Sequence, residues 1–101
     1  MIKDEIEVVI SERKKKHIED DAGIQICWNK LVQILSEDEE KTVIYLQNCT
    51  SEDLYWISEV FEDISEELQS NKYIDCLREL DKKYPLLEMT TDIDLAKEYM
   101  E

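Results

Sequence analysis

His17 is the chain's only imidazole, and no motif links it to Cys27, Cys49, Cys76 or a serine as a nucleophile–base pair requires. Lys14 stands three residues before it, so the Glu-x-x-His pair of di-metal carboxylate bundles is missing. The three cysteines are odd in number and lack CxxC spacing, which argues against zinc and against a disulfide frame. Each lies in or beside an apolar run, where a free thiol acts as a small hydrophobe, and a reducing cytoplasm fits them best. A single glycine, Gly23, excludes the dinucleotide fingerprint, the P-loop and the glycine-bearing nucleophile elbow. "EDEE" and the "DID" of Asp92–Asp94 attract cations weakly, without the pattern of an EF-hand loop. Carboxylate pairs such as Glu62 and Glu66 have the type for acid–base work but no recognisable pocket. The expectation is a binding protein with no catalytic residue, no metal and no cofactor.

The most unusual stretch is "SEDLYWISEVFEDISEEL", Ser51–Leu68, which holds seven carboxylates and no basic residue. In a helix each residue turns about 100°. Leu54, Ile57, Val60, Phe61, Ile64 and Leu68 then fall within about 120° and form a core stripe. Tyr55 falls on the far side with Glu59, Glu62 and Glu66. Trp56 falls between, near Glu52, Asp63 and Glu67. Two readings follow. Either Tyr55 and Trp56 pack beneath a neighbouring helix, or they are anchors in a field of carboxylates. In the second case aromatics supply contact area and the acids steer a basic partner. That reading names Tyr55, Trp56, Glu59, Glu62, Asp63 and Glu66 as a partner-binding set.

The charge balance points the same way. Lys plus Arg is 12 and Asp plus Glu is 26, a net charge of −14. Such a surface repels nucleic acid and anionic membranes and favours basic proteins, although solubility alone also explains it. Basic-aromatic nucleic-acid motifs are missing. The N-terminal "MIKDEIEVVI" carries acids where a signal peptide has a basic region, and no apolar run is long enough to span a bilayer. The expected location is cytoplasmic.

Elements must now position these residues. At 43% hydrophobic, residues 1–101 can bury one core and read as a single domain. Ile2, Ile6, Val9, Ile10, Arg13 and His17 share a helical face to about Ile18, with acids first and Arg13–Lys16 last, as the helix dipole favours. That basic run reads as a solvated face rather than a contact site. Asp20 or Asp21 caps a second helix with the stripe Ile24, Cys27, Trp28, Leu31, Leu35. The Trp28 indole N–H then needs a partner. Ser36 and Glu39 form a capping box for a helix from about Glu37. "TVIYL" is strand-like in composition, but no second strand exists to pair with it. Thr50 opens the acidic helix. Ser70 or Asn71 opens another, which Pro85 ends, and Thr91 with Asp94 boxes the last. The fold class is all-α: five or six helices in an antiparallel bundle or a short stack of helical hairpins.

"LYWISEVFEDI" followed by "CLRELDKKYP" resembles small acidic helical proteins of Gram-positive bacteria, found among the immunity proteins of polymorphic toxin systems. The likeness runs from about Trp28 to Met100. It implies a protein that neutralises a cognate toxin by binding it, often by covering a basic nuclease site with acidic residues. No fixed family motif transfers to numbered positions. From a different class, the same features suit a helical adaptor or self-associating scaffold.

Overall fold

The protein is described by a computed structural model covering residues 2–101. It is all-α, with helices α1 (Ile2–Lys15), α2 (Asp21–Leu35), α3 (Glu39–Asn48), α4 (Ser51–Ile57), α5 (Phe61–Leu68), α6 (Asn71–Lys83) and α7 (Thr90–Glu98). Helices α4 and α5 are two halves of one rod, joined by the 3-10 turn Ser58–Val60. "TVIYL" lies within α3, and there is no strand among the described residues. No helix among them is long and apolar enough to cross a membrane.

Local chemistry sets most of the boundaries. Asp20 accepts a hydrogen bond from Gly23 N at 3.0 Å and caps α2. A Cβ on Gly23 would lie 2.3 Å from an Asp20 carboxylate oxygen, so the chain's one glycine leaves room for the cap. Thr50 caps α4 through Asp53 N, and Ser70 caps α6 through Tyr73 N. The two remaining boxes do not form. Ser36 instead closes α2, its N–H bonded to Val32 O, and Asp38 caps α3 through Lys41 N. Helix α3 therefore starts two residues later than expected. Helix α7 has no side-chain cap. Thr90 donates to Asp81 at 2.6 Å, and Asp94 accepts from Arg78 at 2.7 Å, so the polar groups at its start bind α6. Helix α1 stops at Lys15 rather than Ile18, and His17 lies exposed beyond it, its Nδ1 accepting from Glu19 N.

Helix α1 packs on α2, and the start of α1 meets the end of α2, as in an antiparallel hairpin. The other pairings are interleaved: α3 lies on α6, while α7 is held by both α5 and α6. One core joins them. It includes Ile6, Ile10, Leu31, Leu46, Leu54, Ile57, Phe61, Ile64, Leu77 and Ile93, all essentially inaccessible to solvent. The apolar stripe read along residues 54–64 is thus the buried face of the α4–α5 rod. Buried polar groups fasten neighbouring helices. The Tyr73 hydroxyl donates to Phe61 O at 3.1 Å, Ser65 to Ala96 O at 2.6 Å, and Thr42 to Leu35 O at 2.7 Å. Tyr73→Phe should lower unfolding stability by about 1 kcal/mol, the net worth of one such bond, with unchanged helix content. Urea unfolding followed by circular dichroism measures this.

Candidate protein-binding face

The rod from Ser51 to Leu68 is not a single ideal helix. Val60 sits at φ −122° and ψ 15°, and the 3-10 turn before it offsets α5 from α4. The six residues expected to form one partner-binding set therefore separate into four environments.

Glu59 lies in the turn and is committed within the molecule. Arg13 at the end of α1 grips it in a bidentate pair, Nε to Oε1 at 2.9 Å and Nη2 to Oε2 at 2.8 Å. Trp28 on α2 donates its indole N–H to the same carboxylate at 3.1 Å. The Arg13 side chain is only 13% exposed and that of Glu59 26%. Trp56 belongs to this assembly. The Arg13 guanidinium lies 5.0 Å from its ring centre, a cation–π contact, and the indole packs against the core. Lys14 pairs with Glu52 on α4. Two carboxylates of the acidic stretch thus hold two residues of the basic run, 38 and 46 positions earlier. This corrects the reading of Arg13 and Lys14 as a merely solvated face, and it leaves Glu59, though exposed as a residue, with its charge already paired.

Tyr55 projects outward at 52% exposure, its ring edge-on to Trp56 with centroids 5.2 Å apart. Glu62 turns the other way. It is half-buried, and burial, then the nearby Asp63 and Asp92, push its carboxyl pKa up. Burial alone raises Asp92.

Asp63 and Glu66 stay together. They line an open groove of about 510 Å³ between α5 and α2. Glu67 and Glu37 add two more carboxylates, while Gln25, Asn29 and Gln33 supply amides and Val32 an apolar floor. No lysine or arginine lines it. Glu67 was legible as the i+4 neighbour of Asp63. Glu37, in the loop between α2 and α3, carried no local signal. Such a groove can take an arginine or lysine side chain, with carboxylates pairing its charge and amides filling the remaining hydrogen bonds. No group of three metal-ligating side chains is clustered among the described residues.

Comparison with protein-family models, with curated proteins and with solved structures finds no match to this chain.

Two outcomes follow. A double-mutant cycle on Arg13→Gln and Glu59→Gln, read by denaturant unfolding, should give a coupling of about 1–2 kcal/mol, since a covered, charge-assisted bidentate pair exceeds an exposed ion pair. Glu62→Gln should stabilise at neutral pH by a fraction of that, given its solvent contact. A carboxyl raised in the folded state disfavours folding once ionised. The gain from glutamine should therefore fade as pH falls through the carboxyl range, where the native Glu62 is protonated. Thermal melts across pH measure the trend.

Proposed function

We propose that this chain is a binding protein for a basic protein, acting as an inhibitor of the immunity type from within the cytoplasm, with no catalysis of its own. The observation that carries the reading is the α2–α5 groove, which Asp63, Glu66, Glu67 and Glu37 line without a basic residue among them. A net charge of −14 supports it, because the long-range field speeds encounter with a cationic surface. Tyr55 supplies the exposed aromatic that a contact surface uses as an anchor. Its place on α4 puts it on the same rod as Asp63 and Glu66. The resemblance of "LYWISEVFEDI" and "CLRELDKKYP" to toxin-neutralising immunity proteins agrees with such a partner.

The roles differ by residue. Asp63 and Glu66 steer and pair with lysine or arginine, and Tyr55 slows dissociation. Trp56 and Glu59 act from behind, because the Arg13–Glu59–Trp28 assembly fixes the rod that presents them.

The test begins with affinity capture of a partner and proceeds to kinetics. Asp63→Lys with Glu66→Lys should slow association and flatten its salt dependence. Tyr55→Ala should speed dissociation by about 1–2 kcal/mol. All three positions are exposed, so the variants should fold as the parent does. Binding that survives all of them at full strength contradicts the groove as the site.

A further inference from the structure

The side of α5 away from the core is made only of carboxylates. At about 100° per residue, Glu62, Glu66, Asp63 and Glu67 follow one another around the side opposite Phe61, Ile64 and Leu68. The helix holds no lysine or arginine. Asp63 and Glu67 border α2 across the groove. Glu62 marks the other edge of the face, where α7 lies. Hydrogen bonds fix that second border. The Ser65 hydroxyl donates to Ala96 O at 2.6 Å, and Gln69 Nε2 donates to Tyr99 O at 2.9 Å. The paired positions advance together, so α5 and α7 run side by side in the same direction. Gln69 also donates to Glu66 O at 2.9 Å and accepts from Glu101 N at 2.7 Å, which ties the two helix ends together.

On its opposite flank α7 is held by α6. Arg78 of α6 donates to Asp94 at 2.7 Å, and Lys97, the only lysine of α7, donates to Asn71 at 3.3 Å. These contacts decide which residues of α7 stand beside the acidic face. Ile93 and Ala96 are buried, and Asp94 and Lys97 turn to α6. Asp92, Leu95 and Tyr99 follow at spacings of three and four and share the flank toward α5 and solvent. Leu95 is 38% exposed and Tyr99 47%. A single exposed apolar side chain is ordinary. Here two stand together, four residues apart, at the edge of a row of carboxylates.

That combination selects an occupant. A purely cationic segment would pair with the carboxylates and leave Leu95 and Tyr99 in water. A purely apolar segment would strip water from the carboxylates without pairing them. A basic segment that also carries a large apolar side chain satisfies both. The two features are separated by the width of α5, about 10 Å, which an extended segment spans in about three residues. We propose that Leu95 and Tyr99 form an apolar anchor beside the acidic face of α5, filled by an aromatic or aliphatic side chain that the basic partner carries next to its arginines. The proposal rests on the acidic face being the partner site, and it adds the second chemical feature of that partner.

The probes are a short arginine–serine repeat peptide and the same peptide with one central serine changed to tryptophan. Each is titrated into the ¹⁵N-labelled full chain. Both should shift Asp63 and Glu66 in a salt-sensitive way. The tryptophan peptide should bind about fivefold tighter and add shifts at Leu95 and Tyr99. Leu95→Ser with Tyr99→Ser should remove that gain and leave the affinity of the arginine–serine peptide unchanged, whereas Tyr99→Phe should keep the gain. Tyr99 binds Gln69 through its backbone carbonyl, so these variants retain that contact, and thermal melts check the fold. A tryptophan peptide that binds no tighter would overturn the proposal and leave the acidic face standing. A gain that survives in the double variant, with shifts at Tyr55 instead, would overturn it too. Failure of both peptides to bind would remove the acidic-face reading and this proposal with it.

Discussion

The bidentate contact between Arg13 and Glu59 is the constraint on which the acidic face depends. It joins the end of α1 to the turn between α4 and α5, and through Trp28 it also reaches α2. A covered ion pair gives little net stabilisation over a well-packed apolar contact, but losing one partner strands the other. What this pair supplies is position. Arg13 has its fork filled by Glu59 and its face covered by Trp56, so α1 can sit in one register over the turn. Helix α5, which carries Asp63, Glu66 and Glu67, begins directly after that turn.

The acids of the rod are thereby divided between two tasks. Glu52 and Glu59 neutralise Lys14 and Arg13 across helices, which offsets part of the self-repulsion of a chain at −14. Asp63, Glu66 and Glu67 have no such counterion in the groove they line. Their repulsion is a standing cost that a cationic partner would relieve. That difference explains why large aromatics sit among so many negative charges. Trp56 is the underside of an arginine clamp, and Tyr55 is the exposed edge beside it.

Local features were legible in the sequence. The caps at Asp20, Thr50 and Ser70 and the stripe Leu54–Ile64 depend on neighbours within a few residues, and the structure realises them. The boxes at Ser36 and Thr91 had the right spacing, but neither forms: Asp38 caps α3 while the Ser36 hydroxyl is buried without a hydrogen-bond partner among the described residues, and at the start of α7 Asp94 and the neighbouring Thr90 bond to α6 instead. The candidate site was half legible. A helical wheel places Asp63 and Glu66 outward, yet it cannot see Arg13, which is 46 residues away in sequence and claims Glu59. It also cannot bring Glu37 from the loop between α2 and α3 to the same groove. The need of the Trp28 indole for a partner was readable, whereas the partner itself was not.

The most direct test of the divided acidic face is to map where cations dock on it. An arginine-rich peptide titrated into the ¹⁵N-labelled protein at low and at physiological salt would report this residue by residue. The account predicts saturable, salt-sensitive shifts centred on Asp63, Glu66, Glu67 and Gln33, with Glu52 and Glu59 unmoved. Shifts spread evenly over every acidic helix, or centred on Glu59 with release of Arg13, would contradict it.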